Sequence, residues 1–444
     1  MTRLRAAFPS AGRWMLAGVL VLLPAVARAQ PTTTRVNVGP GGAQSEGDGY
    51  GPPFMVNTGP AISGDGRWVV FASSAGNLVA GDTNGNSDVF ARDQQTATTR
   101  RISVGPGGIQ GNGSSWIPTI SANGRWIAFQ SSSSNLVPGD TNFRADLFVH
   151  DQVTGTTTLV NVAPGGAQPN SDIESARLSA DGRWVVFLSH ASNLVAGDTN
   201  DRNDVFVHDL QSGTTSRASV GSGGVQGDGD SRFPVISGDG RWVAFFSNSS
   251  NLVPNDSDDY EAFVHDRQTG TTTLLGFGFP VISADGRWIG LGGSVYDQQT
   301  GTWTSVAVTP DGTPPWISES YVSGLSADGR WVVFRSNSND LVAGDTNGMT
   351  DLFVRDLQTG MTTRVSVGPG GAQANDSTWD GSISGDGRWV AFVSPASNLV
   401  AGDTNGRWDV FVHDRVDPTC SVALAPASAT APAGGAAGSL QVTM

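Results

Sequence analysis

Oxygen-bearing side chains recur at fixed spacing in a loop that the chain repeats. In its first copy Asp82, Asn84 and Asp88 stand at positions 1, 3 and 7. Ca²⁺ takes six to eight oxygen ligands, and calcium loops supply them from alternating positions. The full candidate set is Asp82, Asn84, Asp88, Asp140, Asn142, Asp146, Asp198, Asn200, Asp204, Asp345, Asn347, Asp351, Asp403, Asn405 and Asp409. Calcium is therefore the one candidate ion, and no other cofactor is expected.

The same residues also suit a structural turn. The fifth position is Asn86 in one copy but Arg144, Arg202, Met349 or Arg407 in others. Position 12 lacks the bidentate Glu of a calcium loop. In an Asx-turn each Asp or Asn accepts a hydrogen bond from the backbone two residues on. The sequence favours the turn and leaves calcium open.

Four tryptophans outside the repeated phrases are candidates for ligand binding. Flat aromatic rings stack on sugar faces and on peptide side chains. The four are Trp116, Trp316, Trp379 and Trp408, and Phe54, Phe233 and Phe279 hold comparable places in other copies. The alternative, which the sequence favours, is that these rings are packing residues.

Neither histidines nor carboxylates indicate a single catalytic centre. His150, His208, His265 and His413 occupy the same position in four different copies of the repeat. They are therefore spread around the molecule, one per copy, and cannot bind a single ion together. The Asp residues are also repeated, and each candidate has equivalents elsewhere. A single active site predicts no such repetition, so no catalytic residue is assigned.

The elements that must position these residues are short strands. The phrase S-[AG]-[DN]-G-R-W occurs seven times, with its Trp at 68, 126, 184, 242, 288, 331 and 389. A repeat of this size built from strands indicates a β-propeller with one blade per copy. In the third copy strands A to D are predicted near 175–179, 183–189, 204–209 and 215–220. The expected fold is all-β, with seven four-stranded blades.

The chain ends predict that the ring closes. The seventh copy reaches strand C at 409–414 and then lacks a strand D. The missing phrase stands at the N-terminus, where 32–44 matches 362–373. The N-terminal strand is therefore expected to complete the seventh blade. The A–B and C–D turns then share one face, and the long B–C and D–A loops share the other. Binding is expected on that long-loop face, since loops on a rigid scaffold commonly carry function.

Residues 30–415 resemble the TolB-type β-propeller with its WD-like repeat, in which S-P-D-G precedes strand B. Here Ala or Gly replaces the Pro. The family includes envelope proteins that bind other proteins and the propeller halves of serine peptidases. No hydrolase half accompanies this propeller, and no G-x-S-x-G elbow occurs. Residues 416–444 resemble the start of a BACON-type Ig-like domain, which implies a linker and a truncated β domain.

The remaining segments predict export and limit the partners. Residues 1–29 combine early Arg residues, an apolar run and "ARA", which is typical of a signal peptide cut after Ala29. Its removal takes four Arg residues and changes the formal charge from −14 to −18. So acidic a protein is not expected to bind nucleic acid, and no membrane span is predicted. We expect a monomer in the periplasm or outside the cell.

Three functions are compatible with these features. The leading interpretation is a non-enzymatic binding or scaffold protein that holds an envelope or extracellular protein or glycan on the long-loop face. The first alternative is a polysaccharide lyase or glycosidase acting at the channel mouth. The second is a purely structural module of a larger surface protein. An enzyme is thus left open but not favoured.

Overall fold

The computed structural model describes residues 31–49, 59–315 and 319–415, all of which belong to a compact unit that starts at Pro31. The predicted signal peptide and the predicted Ig-like start lie outside the described residues. The described chain consists of short strands joined by turns. This follows from its repeated Val, Ile and Phe pairs between Gly- and Asp-containing turns.

The strands are β1 (Thr32–Arg35), β2 (Ala61–Ile62), β3 (Trp68–Ser73), β4 (Asp88–Asp93), β5 (Thr98–Arg101), β6 (Ser115–Ile120), β7 (Trp126–Ser131), β8 (Asp146–Asp151), β9 (Thr156–Leu159), β10 (Ile173–Leu178), β11 (Trp184–Ser189), β12 (Asp204–Asp209), β13 (Thr214–Arg217), β14 (Ser231–Ile236), β15 (Trp242–Ser247), β16 (Glu261–Asp266), β17 (Thr271–Gly276), β18 (Val281–Ile282), β19 (Trp288–Leu291), β20 (Ser294–Asp297), β21 (Thr302–Ser305), β22 (Ser320–Leu325), β23 (Trp331–Ser336), β24 (Asp351–Asp356), β25 (Thr362–Arg364), β26 (Trp379–Ile383), β27 (Trp389–Ser394) and β28 (Asp409–Asp414). Four 3₁₀ turns lie at Pro40–Gly42, Pro106–Gly108, Pro164–Gly166 and Pro369–Gly371.

The strands form seven four-stranded antiparallel sheets, so the predicted seven-bladed propeller is confirmed. Blades 1 to 6 are β2–β5, β6–β9, β10–β13, β14–β17, β18–β21 and β22–β25, with strands A to D in chain order. Blade 7 has the order β26, β27, β28, β1. Thr32 of β1 pairs with Asp414 of β28, which confirms closure by the N-terminal strand.

The short-loop face is fixed by one repeated network. In blade 3 Asp181 Oδ1 accepts from Ser179 Oγ (2.5 Å) and from the N–H of Arg183 (2.9 Å). The guanidinium of Arg183 then donates to both oxygens of Asp209, at 2.9 and 2.7 Å. It also lies 4.6 Å from the ring centroid of Trp184. Asp-Gly-Arg-Trp is therefore a turn whose Arg binds the end of strand C.

The hydrophobic core lies between neighbouring blades. Phe187 of strand B stacks on Phe206 of strand C at 5.6 Å, and both are fully buried. The same pairing occurs in blades 1, 2, 4, 6 and 7. Gly124 (φ 72°) of one blade's turn packs so closely on Trp68 of the preceding blade that a Cβ would lie 2.5 Å from Cδ1. The core thus joins each blade to the next around the ring.

The strand predictions hold with small shifts. In blade 3 strand C coincides with its predicted span, strand A starts two residues earlier, and strand D ends at Arg217 rather than 220. Strand D ends early because the chain turns into a loop, closed by the Val220–Gln226 bridge. Within the described ranges, no helix combines the length and apolar character needed to cross a bilayer.

Candidate functional site

The seven A strands line a central cavity of about 230 Å³. The residue two positions before the Ser that opens the A–B turn lines this cavity in six blades, and in blade 6 the preceding residue, Ser323, does so. Six of the seven residues at that position are small or apolar, and the seventh is Arg177: the set is Ala61, Thr119, Arg177, Val235, Val281, Gly324 and Ser382. Burial lowers the pKa of Arg177 to about 10, although the charge of Asp380 opposes that shift. Arg177 therefore stays cationic at neutral pH.

A second Arg lies where the A and B strands of blades 6 and 7 reach the long-loop face. Arg335 Nη1 is 4.0 Å from Asp380 Oδ1, and their side chains are 18% and 10% exposed. The Arg335 guanidinium lies 5.1 Å from the Tyr321 ring and 4.8 Å from the Trp379 ring. We call Tyr321, Arg335, Trp379 and Asp380 the mouth cluster.

Asp380 is set in place by a β-bulge. The pairing of β26 with β27 shifts between Trp379 and Ser382, and Asp380 has φ 44°. Ile117 and Phe233 hold the same position in blades 2 and 4 and also have positive φ. Bulges commonly re-aim a side chain next to a functional site. Here the bulge places a carboxylate in the lining of the central cavity.

An arc of aromatic rings continues from the mouth cluster toward blade 4. Phe279 is 4.7 Å from Phe233 and 5.3 Å from Phe246, and Phe246 stacks on Tyr260 at 5.4 Å. Phe279 also lines a small cavity with Tyr321, Arg335 and Asp380. We call Phe233, Phe246, Tyr260 and Phe279 the aromatic arc. It is half-buried, so each ring keeps an accessible part.

The four tryptophans proposed from sequence occupy different settings. Trp379 belongs to the mouth cluster. Trp116 holds the equivalent place in blade 2, and its Nε1 donates to Gln130 Oε1 at 2.7 Å. Trp408 packs against the core between blades 7 and 1. Trp316 lies outside the described residues. Their role as ligand-binding residues stays a prediction.

The B–C loops have the hydrogen bonds of Asx-turns. In blade 1 the N–H of Asn86 donates to Asn84 Oδ1 at 2.9 Å, and the amide of Asn84 donates to Asp88 Oδ2 at 3.2 Å. Asp88 is fully buried and accepts from Ser103 at 2.5 Å. Asn142, Asn200, Asn347 and Asn405 accept in the same way as Asn84. Calcium binding by these loops stays a prediction.

The histidines of strand C bind within their own blades. His150 Nδ1 shares a hydrogen bond with Thr157 at 3.0 Å, and His208 shares one with Thr215 at 2.9 Å. His413 is paired with Thr33 in the same way, and burial lowers its pKa to about 4. In the part of the chain that the structure describes, no three His, Cys, Asp or Glu side chains are grouped to hold a metal.

The sequence analysis did not single out Arg177, Arg335 or Asp380. All three break the repeat. At the place of Arg335 the other blades have Ala72, Gln130, Leu188, Phe246, Gly292 and Val393. At the place of Asp380 they have Gly59, Ile117, Ser175, Phe233, Phe279 and Val322. The signal that finds them is a charged residue where every other copy is uncharged.

Comparison with known proteins identifies the fold. No protein-family model and no curated protein sequence match the chain. Oligogalacturonate lyase from Vibrio parahaemolyticus is similar in structure, with 13% identity and a TM-score of 0.50 over 87% of this chain and 98% of the lyase. An oligogalacturonate lyase in complex with manganese gives 14% identity and a TM-score of 0.50, over 87% of this chain and 96% of that one.

A propeller domain without its catalytic partner is equally similar. The β-propeller domain of the Trilobed protease from Pyrococcus furiosus has 14% identity and a TM-score of 0.51, over 84% of this chain and 95% of that domain. These identities show a shared fold alone. The propeller implied by the resemblance to the TolB type is confirmed at that level.

The expectation of a non-enzymatic binding protein is wrong, because the reasoning behind it does not hold for this fold. It rested on the repetition of the candidate residues and on the lack of a hydrolase half and of a nucleophile elbow. The lyase matched over 98% of its length is itself an enzyme of this fold, so no added catalytic domain is required. The repeats here also differ from one another at Arg335 and Asp380. Structures of this fold therefore include lyases, which removes the ground on which the binding-protein interpretation was preferred.

Proposed function

We propose that the channel mouth is the active site of a polysaccharide lyase that acts on uronate-containing chains. The observation that carries the proposal is the mouth cluster. It sets Arg335 against Asp380 beside two aromatic rings, at repeat positions that are uncharged in all other blades. Such a departure from sevenfold repetition is what a single active site requires.

The chemistry of a lyase needs three kinds of group. A base takes the proton next to the uronate carboxylate, the carbon–carbon double bond forms, and the bond to the leaving oxygen breaks. A donor gives that oxygen a proton. A cation must neutralise the carboxylate, because negative charge develops on it as the proton leaves. General acid–base groups contribute about 10²–10⁴-fold each.

The site offers one residue type for each role. Arg335, together with Arg177 in the channel, would bind the uronate carboxylate, since guanidinium groups recognise carboxylates in a bidentate manner. Asp380 lines the same cavity and would act as the base. The Tyr321 phenol, which lines a cavity with Asp380, would donate the proton. The aromatic arc would stack on neighbouring sugars.

A lyase fits this arrangement better than a glycosidase. Most glycosidases use two carboxyl groups about 5–9.5 Å apart across the scissile bond. Asp380 is the single carboxylate among the described residues that line the cavity. β-Elimination needs one base, one proton donor and a cation, and Asp380, Tyr321 and Arg335 line one small cavity together.

The manganese of one similar lyase has no matching site among the described residues. The strand C histidines are held by threonines of their own blades, and three-ligand groups are lacking there. We therefore derive no step through a metal at the mouth. The chain's own Arg residues would supply the positive charge that the reaction requires.

The acidic surface does not exclude an acidic substrate. The formal charge of the chain is −14, but distant charges are screened beyond about 10 Å at 0.1 M salt. Among the residues that line the cavities at the mouth, the two cations Arg177 and Arg335 outnumber the one carboxylate, Asp380. Export, as expected from the N-terminal sequence, would place the enzyme in the periplasm or outside the cell, where such polysaccharides occur.

The test is an assay with the full-length protein on polygalacturonate and oligogalacturonates. Product is followed both by the ultraviolet absorbance of the unsaturated uronate and by new reducing ends. Neutral galactan and fully methyl-esterified pectin serve as matched substrates without free carboxylates. The proposed lyase should produce ultraviolet absorbance and new reducing ends together on the two galacturonates, and neither signal on the two substrates without free carboxylates.

Other outcomes would contradict the proposal. New reducing ends without ultraviolet absorbance would identify a glycosidase. Equal activity on neutral galactan would show that Arg177 and Arg335 do not act by binding a substrate carboxylate. No turnover of polygalacturonate, oligogalacturonates, alginate or another uronate polymer would overturn the enzymatic function.

A further inference from the structure

In four blades the B–C loop holds an arginine between two buried aspartates. In blade 1 Arg101 Nη1 lies 3.3 Å from Asp82 Oδ1 and 3.6 Å from Asp88 Oδ2. In blade 3 Arg217 lies 3.2 Å from Asp198 and 3.3 Å from Asp204. Blades 6 and 7 repeat this with Arg364, Asp345 and Asp351, and with Arg35, Asp403 and Asp409. The chain itself supplies the cation in these loops.

Blade 2 keeps the aspartates and lacks the arginine. Arg101 is paired with Phe90, and Arg217 with Phe206, across strands C and D. The residue paired with the equivalent Phe148 in blade 2 is Leu159. A leucine therefore occupies the strand position from which the other blades extend a guanidinium.

The two carboxylates of blade 2 remain buried all the same. Asp140 is 7% exposed and Asp146 is 0% exposed. One oxygen of each, Oδ2, accepts no hydrogen bond. The other oxygen of Asp146 accepts from Asn161 at 2.7 Å, and that of Asp140 accepts from Gln168 at 3.4 Å. A buried oxygen of a charged carboxylate is costly unless a partner compensates it.

A backbone carbonyl beside Asp140 adds a further oxygen. Gly139 precedes Asp140, and its carbonyl faces the Gln168 amide at 3.1 Å. In blade 3 the equivalent carbonyl, that of Gly197, lies 3.5 Å from the Arg217 guanidinium. The carbonyl in blade 2 is thus at the place where a cation is bound in its counterpart. Hard divalent cations prefer such carboxylate and carbonyl oxygens.

We propose that the B–C loop of blade 2 binds Ca²⁺ between Asp140 and Asp146, where the arginine guanidinium lies in blades 1, 3, 6 and 7. Two carboxylates, a carbonyl and water make a site of low charge. Its affinity is expected in the range of about 10⁻⁴–10⁻³ M that is typical of extracellular modules. The site is separate from the mouth cluster and does not rest on the lyase function.

Blade 4 is the nearest comparison within the chain. It also has a leucine, Leu274, in place of the arginine, but that side chain is exposed. Its acidic pair is Asp256 and Glu261, both only partly buried. Glu261 already accepts from Ser257 at 3.3 Å. Asp256 Oδ2 is also buried without a hydrogen bond, but its neighbour Glu261 is partly exposed. Blade 4 therefore does not bring two buried carboxylates together as blade 2 does.

The test exchanges leucine and arginine between blades in the full-length protein. Thermal unfolding is measured with a chelator, with 10 mM Ca²⁺, and with salt of matched ionic strength. Ca²⁺ is expected to raise the wild-type Tm by roughly 3–5 °C. Leu159→Arg should remove most of that shift, and its Tm in chelator should not fall because four other blades accommodate the same residue. Arg217→Leu should create a second calcium-dependent shift in blade 3.

Calorimetric titration with Ca²⁺ gives the independent readout. The wild-type protein should bind one Ca²⁺ ion in the expected affinity range, and the Leu159→Arg and Asp146→Asn variants should each lack that binding event. An unchanged wild-type Tm, or an identical calcium response in wild type and Leu159→Arg, would overturn the proposal. A response to matched sodium chloride equal to that to Ca²⁺ would equally overturn it.

Discussion

The two faces of the ring differ in how far their residues obey the repeat. On the short-loop face all seven Arg–Asp pairs recur: Arg67–Asp93, Arg125–Asp151, Arg183–Asp209, Arg241–Asp266, Arg287–Asp297, Arg330–Asp356 and Arg388–Asp414. At the channel mouth Arg335 and Asp380 each occur once. Side chains that the architecture needs are present in every blade. Side chains that a substrate needs are present in one.

The largest expected effect is on catalysis at the unrepeated face. Asp380→Asn keeps the size of the side chain, and Asn accepts the positive φ of the bulge. It removes the proposed base, so kcat on the uronate substrate should fall by about 10²–10⁴-fold. The Tm should stay within a few degrees of wild type. The ultraviolet assay and a thermal melt measure the two quantities.

The corresponding control removes a carboxylate from the repeated face. Asp356→Asn weakens the pair with Arg330 and leaves the mouth cluster unaltered. It should lower the Tm without changing kcat. Equal losses of kcat in both variants would show that the two faces do not divide their roles in this way.

Substitution of a buried phenylalanine that recurs in the blades should lower stability without changing activity. Phe187 is fully buried and stacks on Phe206, so Phe187→Ala leaves a cavity between blades. Denaturant unfolding should show a loss of about 3–5 kcal/mol. The half-buried Phe279 of the aromatic arc is the matched variant: Phe279→Ala should cost about 1 kcal/mol and raise KM. A large loss of stability in Phe279→Ala with an unchanged KM would show that the aromatic arc belongs to the hydrophobic core.

The B–C loop of blade 2 is expected to make the stability of the protein depend on pH. Burial and the charges of Asp140 and Asp172 raise the pKa of Asp146 to about 6, against the hydrogen bond from Asn161 that lowers it. The folded state then binds the proton more tightly than the unfolded state, so stability falls as pH rises from about 4 to 6. The difference between wild type and Asp146→Asn isolates this effect, at roughly 3 kcal/mol in chelator. A flat difference curve would contradict it.

The fold was predictable because every blade repeats the same sequence pattern. Asp-Gly turns, paired apolar strands and the displaced strand D phrase predict the blades and the ring closure, and the structure confirms both. Predicted strand ends differ by a few residues because bridges such as Val220–Gln226 lie beyond the pattern.

The candidate site was harder to predict. Arg335 and Asp380 are over forty residues apart and meet only because blades 6 and 7 are neighbours. The tryptophans outside the repeat led to one member of the mouth cluster, Trp379, whereas the repeated aspartates led to loops that several blades share. The missing arginine at Leu159 can be seen by aligning the repeats, but its importance follows only from the ion pairs that the arginine makes in other blades.

One measurement tests the division between the two faces most directly: kcat/KM on oligogalacturonate for wild type, Arg335→Ala and Arg330→Ala. Both variants remove an arginine of blade 6 that is paired with an aspartate. The account predicts a loss of about 10²–10³-fold in Arg335→Ala, because the positive charge on the substrate carboxylate is removed. It predicts wild-type activity and a lower Tm in Arg330→Ala. Equal activities in the two variants would contradict it.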